Sequence, residues 1–341
     1  MTKQLFLTVC LLIVSMAASA VTINKALLQH NGEVTLFDGN DMQAAVNAAV
    51  DGDTIYLTLG TFKPFTINKK ITVRGTGTKS IIDGSVNISI SGTPNLTSNL
   101  LEALKVSGDV TLNNSVSNLM FHKCLITGTV KLNGGVTEGT IKECQIGNIS
   151  FGASIDNLYV DRCYITSTFT LSSTIKGMTV VNTKLCEVKA NSGATNNTTF
   201  VNCNIYALYT ANFAGAIINS IIQSPANQTA HYNSYTLNST VLINSVINKY
   251  AWNSSNYFSI GTSSVTDNCY FVNSQNYVSS YCNSNPDNSY TGTDGTIVGI
   301  YGGDTPYEGL LPPSVPKVTS SDLDLDNVNK VLNVKLTVSP Q

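Results

Sequence analysis

The sequence predicts an all-β solenoid, and three observations carry that prediction. One short phrase returns through the middle of the chain, its copies are almost evenly spaced, and matching positions in the copies hold like residues. The phrase reads Phe121-His-Lys-Cys124, Ile141-Lys-Glu-Cys144, Val160-Asp-Arg-Cys163, Val180-Val-Asn-Thr183 and Phe200-Val-Asn-Cys203. It continues as Ile217-Ile-Asn-Ser220, Leu242-Ile-Asn-Ser245 and Phe271-Val-Asn-Ser274. The small closing residue advances by 20, 19, 20 and 20 positions, then by 17, 25 and 29. Two places beyond it stand Ile126, Ile146, Ile165, Leu185, Ile205, Ile222 and Ile247, with Asn276 breaking the pattern in the last copy. A period near 20 residues carried by short apolar strands is the mark of stacked coils.

Stacked coils pair as parallel strands about 4.8 Å apart, so equal positions form columns. The apolar residue three places before the small one, the small residue itself and the apolar residue two places after it face inward. The position before the small residue is polar and reads Lys123, Glu143, Arg162, then Asn182, Asn202, Asn219, Asn244 and Asn273. Asn tolerates the left-handed backbone of a sharp corner, and stacked amides are expected to hydrogen-bond along the column. The alternation of Lys, Glu and Arg before them reads as a cross-strand charge ladder. On that reading Glu143→Ala is expected to lower stability by about 1 kcal/mol or less, as at an exposed pair. Residues 100–290 at this period give on the order of ten layers, a rod roughly 50 Å long.

The chain opens with Lys3, an apolar run from Leu5 to Met16, and Ala18-Ser19-Ala20. That order of charge, apolar stretch and small residues marks residues 1–20 as a secretory signal peptide. Its apolar run is shorter than the roughly 20 residues needed to span a bilayer, and no transmembrane segment is expected in the mature chain. Asp41–Val50 reads as a short amphipathic helix, with Met42, Ala45, Val46 and Ala49 on its apolar face. Asp38 or Asn40-Asp41 can cap its start, and Gly52 can end it. Short strands follow at Asp53–Gly60, Thr61-Phe62, Phe65–Ile67 and Ile71–Arg74, and Ile81-Ile-Asp-Gly84 closes the block.

This order of a helix, Asp-Gly-Asp-Thr-Ile-Tyr-Leu, Gly-Thr-Phe, Ile-Thr-Val-Arg-Gly and Ile-Ile-Asp-Gly over residues 38–84 resembles the N-terminal cap and first coils of the pectate-lyase-like superfamily. The resemblance implies a single-stranded right-handed parallel β-helix whose helix plugs the open end, as solenoids require for solubility. It also implies an Asn ladder at a tight corner. The expected organisation is a signal peptide at 1–20, a β-helix with its cap at 21–303, and a proline-containing connector with a β tail at 304–341.

Composition narrows the function classes. The chain has 19 Lys+Arg against 21 Asp+Glu, and the only charge in the leader is Lys3, so a mild acidic excess remains. That balance argues against nucleic acid, which demands clustered basic residues. Charged residues are 12% of the chain and hydrophobic residues 42%, which suits a secreted or cell-surface β protein with a neutral, hydrogen-bonding surface. Cys10 sits in the leader, leaving an odd number of the eight cysteines in the mature chain. Cys124, Cys144, Cys163 and Cys203 occupy the small position and are expected to act as compact buried hydrophobes. Cys269 and Cys282 are the candidate disulfide in an oxidising compartment. No Cys/His spacing suggests zinc, so no metal site is expected.

The second half changes character. Coils lengthen after Ser220, 12 of the 15 tyrosines fall between Tyr206 and Tyr307, and the only tryptophan is Trp252. Between residues 204 and 303 the only charges are Lys249, Asp267, Asp287 and Asp294. Aromatic faces stack on sugar rings while Asn, Ser and Thr bond their hydroxyls, so Trp252, Tyr250, Tyr257, Tyr232 and Tyr235 are candidate glycan-binding residues. The phrase Gly299-Ile-Tyr-Gly-Gly303 before Pro306, Pro312, Pro313 and Pro316 resembles secreted β-helix proteins of Bacteroidetes. Val331–Val338 alternates apolar and polar residues, as a half-buried strand does. It is expected to cover the end of the solenoid or to dock another chain.

An enzyme remains an alternative, because the resemblance includes polysaccharide lyases and hydrolases. Those lyases use clustered Asp with calcium and a basic residue, and those hydrolases use paired Asp with His and Arg-x-Lys. The sequence has no Asp-Asp pair, no Gly-His-Gly and no Arg-x-Lys. The catalytic candidates are Asp161, Arg162 and His122, where Asp161 would be a base and Arg162 a clamp for an acidic sugar. The expected function is therefore structural, adhesive or glycan-binding, in a monomer without a cofactor. Calcium enters only if the chain is a lyase or hydrolase acting on acidic polysaccharide.

Overall fold

The computed structural model describes residues 24–171, 175–190, 197–209, 215–224, 235–237, 240–248, 258–260, 263–272, 290–308, 317–326 and 331–339. The chain forms an all-β, right-handed parallel β-helix with one short helix near its start. Register is kept from coil to coil: Phe121 pairs with Ile141, Ile141 with Val160, Val160 with Val180, and Val180 with Phe200. The series runs on through Ile217 and Leu242. Every one of these residues is fully or almost fully buried, and with Ile126, Ile146, Ile165 and Ile205 they form one continuous core. A coil cannot bury its apolar face alone, so stacking supplies the stabilisation.

The N-terminal end is closed as the helix prediction requires. Asp38 accepts a hydrogen bond from the Asn40 amide, and Asp41 caps the helix Met42–Ala48 by accepting from the Ala44 amide at 3.2 Å. Met42, Ala45, Val46 and Ala49 are buried against the first coils. Lys69 Nζ donates to the carbonyls of Val46, Asn47 and Ala49, answering the helix's C-terminal dipole. Two strands that the sequence reading missed complete this end. Lys25–His30 pairs antiparallel with both Glu33–Asp38 and Thr54–Leu57.

From Ala103 onward the described coils turn at a residue with positive φ. Ala103, Lys123, Glu143, Arg162, Asn182, Asn202, Asn219, Asn244 and Asn268 all lie at φ between 43° and 54°. This left-handed turn swings the chain out of its ladder, and the next backbone amide finds a side chain instead of a carbonyl. The amide of Cys124 donates to Cys144 Sγ at 3.4 Å, that of Cys144 to Cys163 Sγ at 3.4 Å, and that of Cys163 to Thr183 Oγ1 at 3.2 Å. Lower in the stack the Cys203 amide donates to Ser220 Oγ at 3.0 Å, and the Ser220 amide to Ser245 Oγ at 3.1 Å. Each thiol or hydroxyl also donates to the carbonyl two residues before it, as Cys144 does to Lys142 and Ser220 to Ile218. The cysteines are therefore more than compact hydrophobes, because Cys, Ser and Thr share an acceptor and a donor on one short stem.

The last copy of the repeat is displaced from its expected place. Val241, Leu242 and Ile243 pair with Val265, Thr266 and Asp267, which sets Asn268 and Cys269 beneath Asn244 and Ser245. Asn268, rather than Asn273, takes the corner of that coil, and Asn273 lies outside the described residues. The reason is register: Tyr270 and Phe271 continue the strand under Val246 and Ile247, so Phe271 stands where the apolar residue after the corner belongs. In the tail, Val331–Ser339 is a strand as expected. Its partner is Lys317–Asp326, and the two form their own antiparallel sheet, paired with no solenoid strand among the described residues.

The corner ladder makes a prediction that separates hydrogen bonding from apolar filling. Cys144→Ser keeps both bonds and should stay within about 1 kcal/mol of the parent. Cys144→Val has a similar volume but leaves the Cys124 amide unpaired, and should lose about 1–3 kcal/mol in urea denaturation. A greater loss in Ser than in Val would mean that the column is held by packing alone.

Candidate functional site

The catalytic candidates come together, inside a larger ionic network. The strands that precede the corner present Arg74, Glu102, His122, Lys142 and Asp161 outward in register, and the corner adds Lys123, Glu143 and Arg162. Arg74 binds Glu102 at 2.7 Å, and Glu102 also accepts from the Asn99 amide at 3.0 Å. His122 stands between Glu102 at 3.7 Å and Glu143 at 3.4 Å. Glu143 meets Arg162 at 2.7 Å and Lys123 at 3.7 Å, and its side chain is only 10% exposed. Asp161 reaches Arg162 at 3.3 Å and Lys142 at 3.9 Å. The network thus spans five successive coils, with every carboxylate set against at least one cation.

Two of its carboxylates titrate in opposite directions. Burial pushes the Asp161 carboxyl up, and the Arg162 and Lys142 charges offset this only in part. Its Oδ1 is buried without a hydrogen-bond partner. Burial also pushes Glu102 up, but the Asn99 amide, the Arg74 guanidinium and His122 more than offset it and hold it below its usual range.

Asn182, Asn202, Asn219 and Asn244 stand at successive corners, but among the described residues their amides do not bond to one another. Those of Asn182, Asn202 and Asn219 hold residues 290–307, which run back along the corner against the direction of stacking. Asn219 Nδ2 donates to Thr293 Oγ1 and its Oδ1 accepts from the Thr293 amide, while Asn202 Nδ2 reaches Asp294. Asn182 Nδ2 donates to the carbonyls of Ile300 at 3.2 Å and Gly302 at 2.7 Å. Asn204 accepts from the Ile300 amide, and the Gly299 amide donates to the Asn219 carbonyl. Val298 packs on Ile221 and Val246. Gly303, at φ 78°, lies so close that a Cβ would sit 2.3 Å from Asn202 Nδ2, so the glycine of this phrase is required for contact. This strap buries Asn182, Asn202 and Asn219 to 1–3% exposure. Where it ends, the corner becomes Arg162, Glu143 and Lys123.

The glycan candidates Trp252, Tyr250, Tyr257 and Tyr232 lie outside the described residues, as does Cys282. Tyr235 belongs to a short strand, Tyr235–Leu237, that pairs with Phe258–Ile260. Cys269 occupies the small-residue position with a free thiol directed at the Asp267 carbonyl. The thiols of Cys124, Cys144, Cys163 and Cys203 are free and buried, and burial pushes that of Cys203 up to about 12, away from thiolate chemistry. Among the described residues no group of His, Cys, Asp or Glu could hold a metal ion. No helix there is long and apolar enough to cross a membrane.

Two further polar clusters were not found from sequence. At the N-terminal end His30 Nδ1 donates to Asp53 at 2.8 Å and its Nε2 accepts from the Asn31 amide at 2.9 Å. Asp53 also accepts from the Val50 amide at 2.8 Å, so the imidazole ties the first hairpin to the end of the helix. The second cluster is a surface depression of about 290 Å³ on the outer face of the strand Ile155–Asp161. It is lined by Leu96 and Met120 together with Asn118, Glu138, Asn157 and Tyr159. Tyr159 is 39% exposed, and burial of the rest of the ring, then the Asp161 charge, pushes its hydroxyl up and keeps it protonated. Its outward position in the repeat was the available signal.

Searches with the chain found no matching family model, curated protein or solved structure.

Glu143 is the hub of the network, so the expectation of a small effect is revised. Breaking one partner out of a nearly buried ionic cluster costs about 3 kcal/mol, and Glu143→Gln should show a loss of that order. Glu102 and Asp161 should differ in pH dependence. The folded-state value of Glu102 lies below its ordinary 4.5, so its contribution is present above that pH and lost as pH falls through the folded value. Glu102→Gln should therefore be weakened at neutral pH and converge with the parent in acid. Asp161 titrates above its ordinary 3.8, so the parent loses stability as pH rises through its folded value, and Asp161→Asn should gain relative to the parent over that range. Urea denaturation at a series of pH values checks both signs.

Proposed function

We propose that this is an exported, non-catalytic β-solenoid that presents a rigid surface and binds glycan or adheres through it. The observation that supports this reading is the ionic network itself. His122, Glu143, Arg162 and Lys123 are engaged with one another across successive coils, so the acid and base groups serve the corner rather than a substrate. The leader at residues 1–20, the low charge and the Asn/Ser/Thr-rich surface support export and a secreted or cell-surface location. The resemblance of residues 38–84 to the pectate-lyase-like superfamily, and of the Gly299–Gly303 phrase to secreted β-helix proteins of Bacteroidetes, supports the same setting. The aromatic residues Trp252, Tyr250, Tyr257, Tyr232 and Tyr235 support a polysaccharide as partner. The protein acts as a monomer without a cofactor and does not bind nucleic acid.

One observation favours a second reading. Asp161 is 5% exposed, holds an unpartnered oxygen and titrates upward beside Arg162 and Lys142, which is an arrangement suited to proton transfer at an acidic sugar. On that reading the protein is a polysaccharide lyase or hydrolase, with calcium as the lyase's cofactor.

Incubation of the mature protein with acidic and neutral polysaccharides, with and without calcium, decides between them. The proposal expects no new reducing ends and no unsaturated uronate. Product formation that disappears in Asp161→Asn would establish the enzyme instead.

A further inference from the structure

We propose that the depression at Tyr159 is a binding subsite for a neutral hexose unit of a polysaccharide. The inference rests on the glycan-binding reading above and gives it a place and a sugar class. A sugar ring needs an apolar face to stack on and acceptors or donors around its rim. Tyr159 offers the face, since its ring is part-exposed on a strand whose neighbours at that position are the small residues Thr140 and Thr179. Leu96 and Met120 add apolar lining. The rim carries the Glu138 carboxylate and the Asn118 and Asn157 amides. The side chains of Glu138, Asn157 and Tyr159 have no hydrogen-bond or ion-pair partner among the described residues, so they are available to a ligand.

The backbone fixes this rim. Asn118, Glu138 and Asn157 take φ of 57°, 55° and 56°, a second left-handed corner that holds their side chains in one line, one layer apart. Preorganised polar groups lose less entropy on binding than mobile ones. The volume of about 290 Å³ lies just under the roughly 300 Å³ at which small-molecule sites begin. It suits one sugar ring with its exocyclic groups.

Charge selects the class. Among the described residues Glu138 is the only acidic or basic side chain that lines the depression, so hydroxyls that donate to it are favoured and a uronate or sulfate is repelled. The cations nearby, Arg162 and Lys142, are engaged with Glu143 and Asp161. Beyond the ring, Thr179 pairs with Thr199 in register, so a polymer laid along the rod would meet a hydroxyl on each of two further layers.

Affinity electrophoresis of the mature protein through gels containing laminarin, mannan or galactan, and in parallel polygalacturonate or alginate, tests the inference. At least one neutral polymer should retard the protein, and Tyr159→Ala should weaken that retardation about tenfold. Tyr159→Phe keeps the ring and should stay within about twofold of the parent. An unchanged thermal unfolding midpoint in Tyr159→Ala shows that the fold is intact, as expected for a part-exposed ring. Retardation by a neutral polymer that Tyr159→Ala leaves intact, or that Trp252→Ala alone abolishes, overturns this site while glycan binding stands. Retardation by the acidic polymers alone overturns the sugar class. No retardation by any polymer defeats the glycan reading and this inference together.

Discussion

From Ala103 onward the described coils turn sharply at one corner, and the turn leaves a backbone amide there without a carbonyl to bond. A buried amide without a partner costs about 1–3 kcal/mol, and the penalty recurs at each layer. The chain meets it with a column of short side chains that can accept and donate. Cys144, Cys163, Thr183, Ser220 and Ser245 each take the amide of the coil before and return a proton to their own strand. This accounts for the small residue of the repeat, its confinement to Cys, Thr and Ser, and the column of free buried thiols.

The residue just before that column carries the second constraint. It must hold a left-handed backbone, which favours Asn and tolerates other residues at a cost of about 1–2 kcal/mol. Asn182, Asn202 and Asn219 accept the favourable choice and use their amides to bind the strap of residues 290–307. Lys123, Glu143 and Arg162 instead form a network that holds the uncovered corner together. The switch from charge to Asn along one column is thus the footprint of the strap. It is also why Ile221 and Val246 are apolar at positions that point outward, since Val298 covers them.

The fold was legible because its signals are periodic. One inward column repeats every 20 residues or so, and no alternative chain path would place Phe121, Ile141, Val160, Val180 and Phe200 together. What periodicity could not show was contact between distant segments. The strap touches Asn182 from 120 residues away, so the amides were read as bonding to each other. The final coil misled for a related reason, because Phe271-Val-Asn-Ser274 matches the phrase as well as Val265–Cys269 does, and only strand pairing separates them. The acid-base cluster was visible in the alternation of Lys123, Glu143 and Arg162, while Arg74 and Glu102 joined it only through strand register. Tyr159 was not singled out, because only the stacking of other coils brings Leu96, Met120 and Glu138 beside it and its strand neighbour Asn157.

The account depends most directly on the corner amides being held inside the solenoid. Residue-resolved hydrogen exchange on the backbone amides of Cys124, Cys144, Cys163, Cys203 and Ser220 measures this. Protection equal to that of the neighbouring strand amides of Ile126, Ile146 and Ile165 is the predicted result. Exchange as fast as that of the exposed turn at Asn31-Gly32 would contradict it, and would mean that the column fills space without holding the turn.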